Sequence, residues 1–139
     1  MKRIVILRCL RSNNVCTGAA CLKAFNKKTG AFTRYGEEPL ELEAYWSCNG
    51  CGDCHFKYQE GLEEKLERII GLKPDVVHVG ACVKQRTQDG QVVTCKKIEG
   101  LTEMKIEDVL KDITVLHNFN LPPNISWMRA VNQKESDSC

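Results

Sequence analysis

Cysteine is the residue type in this chain whose number and spacing point most directly to chemistry. The clearest motif is segment 48–54 (CNGCGDC), in which two residues separate Cys48 from Cys51 and Cys51 from Cys54. This spacing lets neighbouring sulfurs point at one ion, and the glycines permit the tight backbone that such a turn requires. Thiolates are the ligands that hold structural zinc ions and iron–sulfur clusters. The segment therefore predicts a metal site.

The cysteine count of the whole chain favours the same interpretation. Nine cysteines occur in 139 residues, and the six outside the motif are Cys9, Cys16, Cys21, Cys82, Cys95 and Cys139. The number is odd and the sequence shows no export signal, so a disulfide framework is disfavoured against metal binding or thiol chemistry. A buried cysteine can be a small apolar side chain, but that explanation suits one or two scattered residues better than a cluster. Cys139 is interpreted as an exposed thiol without a role.

The elements that must position these cysteines alternate between strand and helix. Apolar runs predict strands at residues 2–8, 40–46, 75–80 and 113–117. Helical spacing predicts helices at 17–28, between Glu60 and Gly71, and at 103–111. This order is typical of a single three-layer α/β domain with a four- to five-stranded, mainly parallel sheet, flavodoxin-like in outline. We expect the domain to span residues 1–120, followed by a partly mobile C-terminal extension at 121–139.

The carboxyl edge of that sheet is where ligands bind in open α/β folds. Cys9, Cys48 and Cys82 each follow the predicted end of a different strand, and His117 ends a fourth. Residues distant in sequence should therefore meet there, joined by cysteines from the connecting loops. The candidate metal ligands are Cys9, Cys16, Cys21, Cys48, Cys51, Cys54, Cys82, Cys95 and His117. A single zinc ion takes four ligands, so the sequence leaves open which four bind it.

Other polar residues near the predicted site have simpler interpretations. His78 lies inside a strand and is interpreted as a core histidine, or one that supports a ligand by donating a ring N–H group. His55, beside Cys54, is interpreted as a surface residue. Arg8 and Lys84 are candidates for lowering the pKa of nearby thiols, with a solvated charge as the alternative.

Taken together, these motifs resemble the CGGC-domain family, small prokaryotic proteins with a central Cys-Gly-Gly-Cys and further cysteines and histidines. The resemblance spans about residues 3–118. It rests on segments 6–9 (ILRC), 16–21 (CTGAAC), 47–51 (SCNGC) and 75–82 (DVVHVGAC), with Cys95 and His117. The resemblance implies a metal-binding domain, with zinc as the first expectation, and attaches no reaction to it. Whether the chain is an enzyme is therefore left open.

Three positions depart from the family pattern. Asn49 stands where the first central glycine is expected, and asparagine is among the residues best able to hold a left-handed backbone. Thr17 replaces an expected proline. Lys96 and Lys97 replace an expected Pro-His pair after Cys95, so any ligand role of that histidine is lost. These departures affect the ligand set rather than the presence of the cysteine cluster.

Four functions stay open at this point, the last of them a reduced-thiol α/β domain that binds an unrelated small molecule. The first is a zinc-binding domain. The second is an iron–sulfur protein, compatible with the spacing of segment 48–54, although the fourth cysteine and proline of the bacterial ferredoxin run are absent. The third is a thiol–disulfide oxidoreductase using Cys48 and Cys51, which lie between a predicted strand and a predicted helix. The clustered additional cysteines disfavour the third, because a two-thiol mechanism does not need them.

Composition sets the remaining expectations about partners and location. A formal net charge of +2 gives no reason to expect a nucleic-acid partner. The N-terminal apolar run covers only residues 4–7, too short for a signal peptide or a membrane span. We therefore expect a cytoplasmic protein whose one identifiable partner is a metal ion, with any protein or small-molecule partner unknown.

Overall fold

The computed structural model describes residues 1–49, 60–86, 89, 91–94, 110 and 113–117. Within them the strands are β1 Lys2–Arg8, β2 Leu40–Ser47, β3 Val76–Val79, β4 Lys84–Arg86, β5 Val92–Thr94 and β6 Thr114–His117. The α-helices are α1 Ala19–Lys27 and α2 Glu60–Gly71. Short 3₁₀ helices cover Leu10–Asn14, Gly30–Tyr35 and Ala81–Val83.

Four of the described strands form a parallel sheet in the order β2–β1–β3–β6. After β1 the chain forms β2 on one side of β1 and then crosses to form β3 on the other side. The direction in which strands are added to the sheet therefore reverses at β1. This is the arrangement of doubly wound α/β domains, in which the reversal opens a crevice beyond the strand ends. The predicted fold class is confirmed.

The sheet is covered on both faces because β1 alternates its buried side chains between them. Ile4 and Ile6 pack with Phe32 and with residues of α1 on one face. Val5 and Leu7 pack on the other face in a cluster that includes α2 residues Leu62, Leu66 and Ile69. These side chains are nearly inaccessible to solvent. The apolar run of β1 thus places it at the centre of three layers.

Most predicted elements occur where the periodicity of the sequence puts them. The helix predicted at 17–28 is shorter and begins at Ala19, because Gly18 adopts φ 78° and cannot continue a right-handed helix backwards. The helix predicted at 103–111 lies outside the described residues. The segment after Cys82, expected to be a loop, contains the antiparallel hairpin β4–β5. The expected limits of the domain, 1–120 and 121–139, stay a prediction.

His78 is a core histidine on the α1 face of the sheet. It is inaccessible to solvent, and its ring lies 4.4 Å from the Phe32 ring, centroid to centroid. A hydrogen bond of 2.6 Å joins His78 Nε2 to the Tyr35 hydroxyl. Because a buried polar ring is costly without partners, this bond contributes to the stability of the strand that leads to Cys82.

Replacing Tyr35 by phenylalanine is therefore expected to lower the free energy of unfolding by about 1 to 3 kcal/mol, because a buried ring nitrogen loses its hydroxyl partner. Urea denaturation would measure the change. Tyr45→Phe is a matched control, since the Tyr45 hydroxyl is buried without a hydrogen bond in the described part of the chain. Equal destabilisation by the two variants would contradict this account of His78.

Candidate functional site

Three of the predicted cysteines lie together beyond the carboxyl ends of adjacent strands. Backbone hydrogen bonds align the strand exits: Gly80 N–H donates to Leu7 O at 2.8 Å, and Cys48 N–H donates to Arg8 O at 3.2 Å. The pairing with β1 therefore extends one residue past the ends of β2 and β3, and Cys9, Cys48 and Cys82 are buried at this edge with exposed fractions of 4%, 8% and 8%. The prediction that strand ends bring distant cysteines to one edge is confirmed for these three.

The backbone that leaves β1 donates hydrogen bonds to the sulfurs of its neighbours. Cys9 N–H donates to Cys82 Sγ at 3.1 Å, and Leu10 N–H donates to Cys48 Sγ at 3.5 Å. A third backbone group, Gly18 N–H, donates to Cys16 Sγ at 3.3 Å. N–H groups aimed at sulfur favour its charged thiolate form over the neutral thiol.

Ser12 stabilises the turn that follows β1 and is a site residue that the sequence did not reveal. It is completely buried, and its hydroxyl donates to Cys9 O at 2.7 Å. Its backbone carbonyl accepts a bond from Cys16 N–H at 2.8 Å, so one residue ties Cys9 to Cys16. The Ser12 hydroxyl also lowers the pKa of Cys82. A serine in a polar loop gives no sequence signal of such burial.

A second group of side chains surrounds Cys21 on the α1 side of the same edge. The guanidinium carbon of Arg8 lies 5.6 Å from the centroid of the Tyr45 ring, a cation–π contact. Gly18 lies against the Tyr45 hydroxyl so closely that a Cβ atom there would be 3.0 Å from Tyr45 Oη. The Tyr45 hydroxyl and Arg8 both lower the pKa of the Cys21 thiol. Arg8 thus acts on the Cys21 thiol in the expected direction, but burial outweighs it and the pKa of Cys21 is raised.

Burial nevertheless keeps these thiols protonated near neutral pH. It raises the pKa of Cys82 to about 11, against the lowering effects of Cys9 N–H and Ser12, and nearby Cys21 and Cys16 raise it further. Burial also raises the pKa of Cys21, more than Tyr45 and Arg8 lower it. A reactive thiol needs a depressed pKa and access to solvent, so Cys82 and Cys21 do not have the environment of a nucleophile. An added cation would be needed to form their thiolates.

The described residues bring thiols to one edge without forming a complete ligand set. No three cysteine, histidine, aspartate or glutamate side chains among them converge closely enough to hold a metal ion. The five described cysteines, Cys9, Cys16, Cys21, Cys48 and Cys82, are all thiols rather than half-cystines. Cys51, Cys54 and Cys95 lie outside the described residues, as do His55 and Cys139. His117 ends β6 opposite Val79 at the same edge of the sheet.

Asn49 does not take the backbone conformation expected of a glycine substitute. The non-glycine residues with positive φ in the described part of the chain are Lys28 and Lys73. Asn49 instead lies near the start of α2, with its Nδ2 atom 3.2 Å from where a Cβ atom at Gly61 would be.

A parallel, doubly wound α/β sheet with cysteines following three of its strands defines a class of small cysteine-rich domains. Within that class the chain belongs to the CGGC-domain family, whose profile matches residues 3–118. It is also similar to an uncharacterized protein of Methanocaldococcus jannaschii, with 31% identity over 85 residues, which cover 58% of this chain and 61% of the relative. The match thus spans less than two thirds of the relative's length.

Two further findings complete this description. No solved structure matches the chain significantly. Neither described helix has the length and apolar character needed to cross a membrane.

Proposed function

We propose that this chain binds a metal ion, zinc in the first instance, through cysteine thiolates at the carboxyl edge of the sheet. The observation that carries the proposal is that three sulfurs there, of Cys16, Cys48 and Cys82, each accept a backbone N–H hydrogen bond. Such bonds favour thiolates, and metal coordination deprotonates a cysteine outright. The donor set is soft, which suits zinc and iron–sulfur clusters better than magnesium or calcium.

The ligand set would combine described and undescribed cysteines. Zinc takes four ligands, and the described residues do not supply three that converge. The remaining ligands would come from Cys51, Cys54, Cys95 or His117, which stay predictions. Cys51 follows Cys48 by three residues, within a reach of about 10 Å of extended chain. Cys48 and Cys82 are the described residues that combine strand-end position, burial and a hydrogen-bonded sulfur.

The burial of Cys48 favours a ligand role over thiol exchange. Its exposed fraction is 8%, and its sulfur accepts the Leu10 N–H group. A thiol that attacks a disulfide must be accessible to it. An iron–sulfur cluster would use the same soft ligands and would be distinguished from zinc by iron and acid-labile sulfide in the purified protein.

Cobalt(II) titration of the reduced full-length chain tests the proposal. One equivalent should produce sulfur-to-cobalt charge-transfer absorption together with the visible bands of a tetrahedral site, and zinc should displace it. Cys48→Ser should weaken both features, whereas Cys139→Ser should leave them unchanged. Reduced protein without a charge-transfer band at stoichiometric cobalt would contradict the proposal.

A further inference from the structure

The two helical layers of the domain carry exposed charges of opposite sign. Residues 1–36 include eight lysines and arginines and no aspartate or glutamate. On α1 the side chains of Lys23 and Lys27 are exposed, and neither pairs with a carboxylate in the described part of the chain. On α2 the exposed side chains include Glu63 and Glu67. Because α1 and α2 cover opposite faces of the sheet, the domain has a basic face and an acidic face.

The charges on both faces are spaced unfavourably for their own helices. The two lysines are four residues apart on α1, as the two glutamates are on α2, and like charges at this spacing destabilise a helix. The neighbouring Glu64 on α2 is instead matched by Arg68, whose Nη2 atom lies 2.6 Å from its carboxylate. Helix stability thus does not explain the two like-charge pairs, whereas a surface of opposite charge would relieve each of them.

Exposed apolar residues accompany the charges on each helix. Leu22 on α1 is 37% exposed and follows the exposed Ala19 and Ala20, while Ile70 on α2 is 41% exposed. The apolar residues precede the lysines on α1 and follow the glutamates on α2, so the order along one helix reverses the order along the other. Four helical residues rise about 6 Å, so the two charged pairs have equal spacing. Antiparallel packing of α1 against α2 therefore brings lysines to glutamates and Ile70 to the apolar start of α1.

We propose that the basic face of one copy of this chain binds the acidic face of a second copy, with α1 of the first antiparallel to α2 of the second. The charged contacts are Lys23 with Glu67 and Lys27 with Glu63. A net charge of only +2 gives little overall repulsion between copies. Because the two faces lie on opposite sides of one domain, the contact is heterologous, and the assembly grows by addition of copies rather than closing as a two-fold dimer.

Sedimentation velocity of the reduced full-length chain at increasing concentration tests the inference. In low salt the average mass should rise with concentration above that of one chain. Salt at about 0.5 M should return it to one chain, because the screening length falls to roughly 4 Å. Lys23→Glu and Glu67→Lys should each weaken association by about 10-fold or more, since each sets like charges together across the contact. Glu37→Lys reverses an exposed charge outside both helices and should leave association unchanged.

The double variant that combines Lys23→Glu with Glu67→Lys tests the alignment of the two helices. Each single reversal replaces a like-charge pair by an opposite-charge pair within its own helix, so the fold should be retained and lost association is not unfolding. In antiparallel packing the double variant restores attraction at both charged contacts and should recover association. Parallel packing would instead set like charges together at both contacts.

Several outcomes would overturn the inference. One is a wild-type chain that keeps the mass of one copy at every concentration in low salt, and another is association that Lys23→Glu does not weaken. A single copy that binds heparin or anionic vesicles through Lys23 would assign the basic face to another anionic partner and overturn it as well. Metal binding has no part in these outcomes, so the proposed function is tested separately.

Discussion

Cys82→Ser should lower the affinity of the chain for zinc by about 100-fold or more. Structural zinc sites contribute about 10 to 16 kcal/mol through four ligands, so losing one thiolate removes a share of roughly 3 kcal/mol. Cys82 is buried, lies in the short 3₁₀ helix that follows β3 and accepts the Cys9 N–H bond, which makes it the described sulfur best placed to be a ligand. Competition with a chromophoric chelator under reducing conditions would measure the loss.

Serine is the appropriate replacement because its hydroxyl can still accept a hydrogen bond from Cys9 N–H. Cys82→Ala would leave that buried donor unpaired and destabilise the fold for a reason unrelated to metal. Circular dichroism should show Cys82→Ser folded in the absence of metal, and Cys139→Ser should retain full affinity. A folded Cys82→Ser variant with wild-type affinity would remove Cys82 from the site.

Zinc affinity should also rise steeply with pH. In the metal-free protein burial raises the pKa of Cys82 to about 11 and raises that of Cys21, so both are protonated between pH 6 and 8. Binding as thiolates releases one proton from each. Low pH therefore favours the metal-free form. These two thiols alone would make the affinity increase about 100-fold per pH unit, or about 10,000-fold from pH 6 to pH 8, and each further protonated cysteine ligand adds to the slope.

Zinc affinity should continue to rise above pH 8, because the Cys82 thiol of the metal-free protein stays protonated until the pH approaches its pKa of about 11. Chelator competition at several pH values, corrected for the chelator's own protonation, gives the slope. The slope equals the number of protons that zinc displaces, and proton release on zinc binding in a weakly buffered solution measures that number independently. A slope near zero would mean that the ligands are already thiolates, contrary to the burial of these residues.

The sequence was sufficient to predict the sheet and the cysteines that follow it. The apolar run of β1 and the valine-rich β3 are long enough to be identified as buried strands, and parallel strands place their carboxyl ends at one edge. Cys9, Cys48 and Cys82 could therefore be assigned to one region without knowing any contact. The resemblance to the CGGC-domain family, confirmed over residues 3–118, rests on the same segments.

What the sequence could not reveal depends on packing between distant segments. Ser12 reads as a loop residue, and only the turn around Cys9 buries it. Tyr45 fits a strand pattern as an ordinary aromatic residue, and the pattern gives no sign that its hydroxyl lies against Gly18, 27 positions earlier in the chain. The hairpin β4–β5 was missed because three-residue strands are too short for a periodic signal.

The metal content of the full-length chain tests the central claim most directly. The protein should be purified without oxygen and without a metal-affinity tag, then examined by elemental analysis and visible absorption. We expect about one zinc per chain and a colourless solution. Iron with acid-labile sulfide and a brown colour would replace zinc by a cluster at the same cysteines. Folded, fully reduced protein that contains no metal and takes up none would contradict the account.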